Sequence, residues 1–272
     1  MSAFFVLFGW LMTGVWAQES VPAELHPHFQ TFVEQGVPEA ALRPPLEFLK
    51  SHSAQRLKLP TGGRAHEGQI RNHKTLIIVD YSRPSSERRL FVLNLEEGTI
   101  EKHYVSHGLN SGGLQTYRFS NRRDSRQSSL GLFLTGAQYV GKFGLSVRLY
   151  GLDPSNSRTY ERVIVLHGAH YASELFLQHY GYLGRSHGCL AVEKSLAPVL
   201  FPQLQNGTLI YAYHQEMSAL TAASPDEQIL LKQNPPDDNP TPTPEERDQS
   251  NRNPFSSRVS FVAPLFLKND LL

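Results

Sequence analysis

The chain has 272 residues, enough for one large domain or for a core domain with appendages. Its 26 basic and 25 acidic side chains leave a formal net charge of +1, which gives no bias towards a polyanionic partner. The arginines between residues 118 and 126 are interrupted by Asp124 and indicate a solvated loop, so no nucleic-acid partner is expected.

The chain begins with a short apolar run that is typical of a secretory signal. Residues 4–16 are mainly apolar but too few to span a bilayer, which takes ~20 residues, and Ala17 precedes a polar stretch. We predict a signal peptide over residues 1–17 and a location in the periplasm or cell envelope. Because no Lys or Arg precedes the run, an uncleaved membrane anchor is the alternative. Membrane contact is expected only through this segment.

Residues 18–73 are predicted to form an N-terminal helical segment. Apolar residues recur at mixed helical spacing between residues 25 and 49. Pro38, Pro44 and Pro45 are expected to break this stretch into short helices, because a proline inside a helix removes a hydrogen bond. The segment is expected to pack on the main domain.

Residues 74–214 are predicted to form a catalytic domain that is mainly β with short helices. Short apolar runs bounded by turn residues predict the strands, which we place at 76–79, 90–93, 100–105, 130–135, 146–150, 163–166 and 209–213. Helices are expected at 172–180 and 196–204, although Pro198 and Pro202 weaken the second.

Residues 215–272 are predicted to form a C-terminal extension with a Pro-rich, disordered linker. Residues 234–246 are rich in proline and polar residues and carry too little apolar surface to fold. Residues 259–267 are apolar again. The sequence does not decide whether this stretch forms an added strand, docks on the domain or contacts a partner.

The chain has a single cysteine, which closes the sequence Ser-His-Gly-Cys at residues 186–189. Exported proteins usually recruit cysteines in pairs for disulfides, so an unpaired Cys189 is better explained by reactivity. A thiol attacks as the thiolate, and a neighbouring imidazole lowers its pKa from ~8.5 to roughly 3.5–7.5. Gly188 permits a tight turn whose backbone N–H groups could face an oxyanion. The alternative is a small, buried apolar cysteine.

Several sequence blocks occur in the order found in a known family. They are VD at 79–80, RLFV at 89–92, VSHG at 105–108, SLGLF at 129–133, VLHG at 165–168 and SHGC at 186–189. In this order they resemble the YkuD-type murein L,D-transpeptidase catalytic domain family over residues 74–214. The resemblance implies a mixed β-sandwich with the cysteine loop at one end of the sheets.

The resemblance also implies a cysteine-dependent acyl transfer on peptidoglycan peptide stems. Cys189 would attack the carbonyl of the third residue of a tetrapeptide stem and release the terminal D-alanine. The resulting thioester would then be transferred to an amine. His167 would be the base, oriented by the carbonyl of Gly168, and the N–H groups of Gly188 and Cys189 would stabilise the oxyanion. No metal or organic cofactor is expected.

Other residues near the cysteine are expected to shape the site. The resemblance gives His187 a role in shaping the site rather than as its base, and Ser186 and Tyr171 a role in supporting the pocket. The family's arginine two positions after the cysteine is replaced here by Ala191. Arg185, Arg148 or the Arg122/Arg123 loop could bind substrate carboxylates instead, since a guanidinium suits bidentate binding. We take Arg185 as the candidate.

Three alternatives remain open at this point. The histidines at 167, 170, 179 and 187 would permit a zinc hydrolase, although no HExxH sequence occurs. A catalytically silent wall-binding scaffold on the same fold is the second, because a fold does not establish a function. L,D-carboxypeptidation or amino-acid exchange through the same acyl-enzyme is the third. The oligomeric state is not predicted.

Overall fold

The computed structural model describes residues 25–63, 66–204, 206–217, 229–230, 240, 241, 243, 244 and 246. The predicted signal peptide at 1–17 and the apolar stretch at 259–267 lie outside the described residues. In the described part of the chain, no helix is long and apolar enough to cross a membrane.

Two helices, α1 (Phe29–Glu34) and α2 (Glu39–His52), form the start of the described chain. The expectation that prolines would break this stretch holds only for Pro38, which precedes α2, because Pro44 and Pro45 lie inside that helix. Packing outweighs the lost hydrogen bonds, since Leu42, Pro45 and Leu46 are buried. The 18–73 segment is also less helical than predicted: it contains an antiparallel hairpin of β1 (Arg56–Leu59) and β2 (His66–Gln69).

The main sheet is built between residues 75 and 213. Within the described residues the strands there are β3 (Thr75–Asp80), β4 (Leu90–Asn94), β5 (Thr99–His103), β6 (Arg118–Phe119), β7 (Gly131–Gly141), β8 (Gly144–Gly151), β9 (Val165–Ala169), β10 (Leu190–Glu193) and β11 (Leu209–Tyr213). All but β6 join one eight-stranded sheet in the order β10-β9-β8-β7-β11-β3-β4-β5. The pairs β9–β10 and β3–β11 are parallel and the others antiparallel.

Both faces of this sheet are buried. In β3, Leu76 and Ile78 belong to one apolar cluster and Ile77 and Val79 to the other, as the alternation of side chains along a strand requires. The first cluster contains the N-terminal helices α1 and α2. The second is covered by a later helix at residues 197–204. Burial on both faces explains why the strands read as continuous apolar runs.

Two further helices connect the strands near the site, α3 (Glu174–Tyr180) and α4 (Ala197–Leu204). Both lie within the predicted helical ranges, and α4 tolerates Pro202 in its interior while burying Leu200, Phe201 and Leu204. The architecture is mainly β with short helices, as predicted. Several strand boundaries differ from the prediction: β5 ends at His103 and β7 continues to Gly141. β9 begins at Val165, because Val163 has a left-handed backbone with φ of +54°.

A few residues of the predicted C-terminal linker are described. A short strand, β12 (Ile229–Leu230), pairs with β6. Further on, Glu246 is buried at 1% exposure. At Glu246 the chain is therefore packed against the domain, whereas the predicted linker was expected to be extended or disordered.

Candidate active site

His167 lies within β9, beside Ser146 of β8 and Ala191 of β10. Its Nδ1 is 3.1 Å from the carbonyl oxygen of Gly168, which only accepts, so Nδ1 carries the hydrogen and Nε2 is left with a free lone pair. Phe143, in the turn between β7 and β8, stacks on the ring at 4.5 Å. Burial lowers the pKa of His167 to about 4, so the imidazole is neutral at pH 7.

Cys189 immediately precedes β10, the strand that pairs in parallel with β9. Its side chain is 7% exposed, and its Sγ lies 3.7 Å from the carbonyl oxygen of Val163. Burial raises the pKa of the thiol, whereas the backbone N–H of Val165 and the charge of Arg162 oppose that rise. Cys189 thus lies one residue before the strand that neighbours His167, and both side chains are neutral in this environment.

Ser186 closes the turn that carries the cysteine. Its hydroxyl donates to the carbonyl of Cys189 at 2.6 Å and accepts from the backbone N–H of Gly188 at 3.1 Å. The N–H of Gly188 was expected to face an oxyanion, but in this structure it is satisfied within the turn. That expectation is therefore not met for Gly188, and Ser186 has a structural role in the turn.

Gly188 has a φ of +107°, which a residue with a side chain rarely adopts. A Cβ at this position would lie 2.6 Å from the carbonyl oxygen of Gln127 and 3.0 Å from Nη2 of Arg162. The glycine is thus required both by backbone conformation and by close packing.

His187 is half-buried in the same turn. Its Nε2 is buried and has no hydrogen-bond partner among the described residues. Burial and the charges of Arg126 and Lys142 lower its pKa to about 4. The role of His187 in shaping the site stays a prediction.

A buried network outside the cysteine motif holds this turn. The carbonyl of His107 accepts from the backbone N–H of Ser186 at 2.8 Å. Arg89, wholly buried, donates to Nδ1 of His107 at 2.8 Å and to the carbonyl of Val105 at 3.1 Å. Both residues fall in the sequence blocks that resemble the family, but their support of the cysteine turn was not predicted. Only their contacts across the fold reveal it.

Arg185 is not available as a substrate ligand in this structure, in contrast to the expectation. It is wholly buried, and its Nε and Nη2 bond to the carboxylate of Glu246 at 2.9 and 3.2 Å. Its Nη2 also donates to the carbonyl of Pro240 at 2.9 Å. The sequence did suggest a carboxylate partner for Arg185, but the partner belongs to the chain's own C-terminal extension.

The remaining predicted arginines and Tyr171 are placed as follows. Tyr171 is buried with its ring edge-on to His167, 6.4 Å away, and its role in supporting the pocket stays a prediction. Arg148 stacks on Tyr139 and Tyr160. Arg122 and Arg123 are exposed. No contact among the described residues indicates that Arg148 or the Arg122/Arg123 loop binds a substrate carboxylate.

The zinc alternative finds no support in the histidines. Among the described residues, no three His, Cys, Asp or Glu side chains are grouped so that they could hold a metal ion. His170 instead contacts Nζ of Lys194 at 3.3 Å, and His179 packs edge-on against Tyr180. These two histidines have ordinary surface surroundings.

A comparison with protein families decides the identity. The model of the L,D-transpeptidase catalytic domain matches residues 51–213, which is more than half of the chain. The chain belongs to the L,D-transpeptidase catalytic domain family. The match begins before residue 74, so it includes the β1–β2 hairpin as well as the predicted domain.

Solved structures of L,D-transpeptidases are also similar to this chain. One from Mycobacterium smegmatis is 15% identical with a TM-score of 0.33, covering 56% of this chain and 64% of its own. One from Stackebrandtia nassauensis is 15% identical with a TM-score of 0.32, covering 54% and 58%. One from Xylanimonas cellulosilytica is 16% identical with a TM-score of 0.30, covering 68% and 77%.

These structural similarities are too weak to carry an argument beyond the family match. The chain spans about 60% of the length of the first two structures. None of the curated proteins that were compared matches the chain. The chemistry of this L,D-transpeptidase domain therefore has to be argued from its own residues.

Replacing Gly188 with alanine is predicted to destabilise the L,D-transpeptidase domain by about 2 kcal/mol, because the new Cβ meets the Gln127 carbonyl and φ is unfavourable. Gly181→Ala is the matched control, since Gly181 also has a positive φ (+78°) but open space around it. Urea unfolding of both variants should show the larger loss for Gly188→Ala. Equal losses would mean that close packing at Gly188 contributes nothing.

The stability of the domain is predicted to fall as the pH drops from 6.5 towards 4. Between these values the unfolded chain protonates its histidines, whereas burial keeps His167 and His187 neutral with pKa values of about 4. Buried His167 alone contributes roughly 3 kcal/mol to this loss. Urea unfolding measured from pH 4.5 to 7.5 should show a shallower pH dependence for His167→Gln; an identical slope would contradict the neutral, buried His167.

Proposed function

We propose that the protein is a cysteine-dependent L,D-transpeptidase that forms a thioester between Cys189 and a peptidoglycan peptide stem. The observation that carries this proposal is the parallel pairing of β9 and β10. It places the cysteine turn next to the strand that holds His167, while Nδ1 of His167 is engaged by Gly168. The family match supports the general activity, and the thioester is the finer step proposed here.

The reaction begins as the proton of the Cys189 thiol passes to Nε2 of His167 while the sulfur approaches the substrate. The sulfur attacks the carbonyl carbon of the third stem residue and forms a tetrahedral oxyanion. Collapse of that intermediate breaks the peptide bond, and the imidazolium returns its proton to the leaving amine of D-alanine. The acyl group then remains on sulfur as a thioester.

The second half of the reaction resolves the thioester. An acceptor amine attacks the thioester carbonyl and His167 removes a proton from the amine. The C–S bond then breaks, and the imidazolium gives that proton to the sulfur, which regenerates the thiol of Cys189. The products of transpeptidation are one new amide and the free enzyme. Water in place of the amine would give carboxypeptidation, so the products distinguish the two outcomes.

Burial favours a proton transfer that accompanies the attack. Cys189 and His167 are both buried, which disfavours a resting thiolate–imidazolium pair because each charged form loses its hydration. The described structure has no hydrogen bond between Sγ and either imidazole, and such contacts often shorten only when substrate binds. A bound stem would complete the path from Sγ to Nε2.

The thioester is tested by intact-mass spectrometry of the protein incubated with a disaccharide-tetrapeptide. We expect a covalent adduct and released D-alanine, with both lost in Cys189→Ala. That variant removes one sulfur from a buried position and leaves the turn's hydrogen bonds to Ser186 in place, since these are made by backbone atoms. Circular dichroism checks that it is folded.

Two results would contradict the proposal. The first is an adduct that persists in Cys189→Ala, because another nucleophile would then be responsible. The second is a folded wild-type protein that releases no D-alanine and forms no adduct, which would favour a silent wall-binding role. Analysis of the small products separates an amine acceptor from water.

We further propose that the protein is exported and acts in the periplasm or cell envelope. The apolar run at residues 4–16 and Ala17 support cleavage after residue 17. Cell fractionation followed by N-terminal sequencing should find a mature protein that begins at Gln18 outside the cytoplasm. A full-length protein in the membrane fraction would indicate the uncleaved anchor, and a full-length cytoplasmic protein would refute export.

A further inference from the structure

Arg162 is held in a fixed position by uncharged acceptors. Its Nη1 donates to the carbonyl of Ser120 at 2.6 Å and to Oγ of Ser129 at 2.5 Å. Its Nη2 donates to the carbonyl of Gln127 at 2.5 Å and to Oγ of Ser125 at 3.2 Å. All four hydrogens of these two nitrogens are used, so the guanidinium is anchored to the loop 120–129 and is not aimed at a ligand.

The same guanidinium lies against the turn that carries the nucleophile. Its Nη2 is 3.0 Å from the point where a Cβ on Gly188 would lie, so only a glycine lets the charge come this close. The next residue, Val163, places its carbonyl oxygen 3.7 Å from Sγ of Cys189. The charge of Arg162 acts on the thiol and lowers its pKa against the effect of burial.

The backbone beside Arg162 is strained. Val163 has a φ of +54°, a conformation that is a clear outlier for a β-branched residue and is energetically unfavourable. This strained residue is the one whose carbonyl contacts the sulfur. The fold thus maintains an unfavourable conformation in order to hold residues 162–163 against the cysteine turn.

A fixed cation is needed here because the imidazoles do not supply one. Burial lowers the pKa values of His167 and His187 to about 4, so neither is positively charged at neutral pH. Arg162 keeps a pKa of about 10 despite burial and remains charged. It is therefore the cation available to a sulfur that becomes negative during attack.

The other charged and titratable groups around the pair do not replace this cation. Tyr81 and Tyr139 interact with Cys189, and each is neutral at pH 7 because burial raises its pKa. Asp124 acts on Arg162 and favours its charged form. The charges of Arg126 and Lys142 act on His187 instead.

We propose that Arg162 is a positioning residue whose fixed positive charge, held by the loop 120–129, stabilises the Cys189 thiolate as it forms. This inference rests on the proposed function only in taking Cys189 as the nucleophile. The role requires no contact between Arg162 and substrate. Its measurable consequence is a change in the ionisation of a single sulfur.

The test is the pH dependence of the rate at which iodoacetamide alkylates the full protein. The only cysteine in the chain is Cys189, so every alkylation event reports on it. Arg162→Gln should raise the apparent pKa of the thiol by about 1 unit and slow alkylation at pH 7 about tenfold. Arg162→Lys, which keeps the charge, should restore most of the reactivity.

Two controls separate charge from packing. Arg123→Gln removes an exposed arginine from the same loop and should leave the pKa of the thiol unchanged. Ser129→Ala removes one anchor of Arg162 but keeps its charge, and should also leave that pKa near the wild-type value. A folded Arg162→Gln variant with the wild-type thiol pKa would overturn the inference.

A second pair of variants applies if Arg162→Gln does not fold. Ser125 is half-buried and its hydroxyl accepts a hydrogen bond from Nη2 of Arg162. Ser125→Asp therefore places a carboxylate beside the guanidinium. Ser125→Asn places a neutral side chain of similar size there. Ser125→Asp should raise the pKa of the thiol relative to Ser125→Asn. Equal values for the two variants would overturn the inference.

The outcome is distinguishable from the test of the thioester. Alkylation requires no peptidoglycan, so it reports on the Arg162 charge even if the stem is not the substrate. Turnover of the tetrapeptide with a thiol pKa insensitive to Arg162 would reject this inference and leave the proposed function standing. A thiol pKa that depends on Arg162, in a protein that does not turn over the tetrapeptide, would support this inference and contradict the proposed function.

Discussion

The parallel pairing of β9 with β10 is the constraint on which the site depends. Parallel neighbours need a crossover of a dozen or more residues, and here α3 and its flanking turns supply it. The chain therefore leaves β9 after His167 and returns to its side only at residue 189. The pairing fixes which residue of the returning strand lies beside the base, since Ala191 is opposite His167. The cysteine turn is thereby placed at the edge of a rigid sheet.

The edge formed by β10 is covered by a second segment, which holds the turn from the other side. Ser106 donates through its backbone to the carbonyl of Ala191 at 2.8 Å, and the carbonyl of His107 accepts from Ser186. Arg89 in turn donates a hydrogen bond to Nδ1 of His107. The turn is thus fixed by backbone hydrogen bonds on both sides, which suits the proposed nucleophile Cys189, since it would have to keep its geometry through two reaction steps.

Burial sets the electrostatic character of the site. Two buried arginines, Arg89 and Arg162, donate mainly to carbonyl and hydroxyl oxygens, and burial lowers the pKa of each to about 10. Of the two, Arg162 is the one whose charge acts on the Cys189 thiol. A guanidinium whose hydrogen bonds go to uncharged oxygens keeps its positive electrostatic potential, whereas a carboxylate partner would cancel that potential. Arg185 shows the contrasting case, because Glu246 neutralises it within a buried, bidentate pair. Arg162 and Arg185, both next to the turn at residues 186–189, thus have contrasting electrostatic environments.

Much of this protein follows from the order of its residues. Continuous apolar runs such as Leu76–Val79 and Leu209–Tyr213 predicted strands because a sheet buried on both faces requires them. The pair His167–Gly168 and the sequence at 186–189 predicted a cysteine site, since those residue types have few other uses together. Local pattern failed at Pro44 and Pro45, where helix packing outweighs backbone preference, and at the missed β1–β2 hairpin.

Only the tertiary structure decided what surrounds the cysteine. Arg162, Gln127 and Glu246 reach the turn from segments far away in the chain, and nothing in their local sequence marks them. His107 lies in a sequence block that resembles the family, but its contact with the turn was not predicted. Gly188 belongs to the predicted motif, but the hydrogen bond from its N–H to Oγ of Ser186 was not predicted. Sequence by itself determined the strands and the reactive groups, because these depend on side-chain type and short-range periodicity. The field and packing that act on the sulfur depend on long-range contacts, which exist only once the sheet has formed.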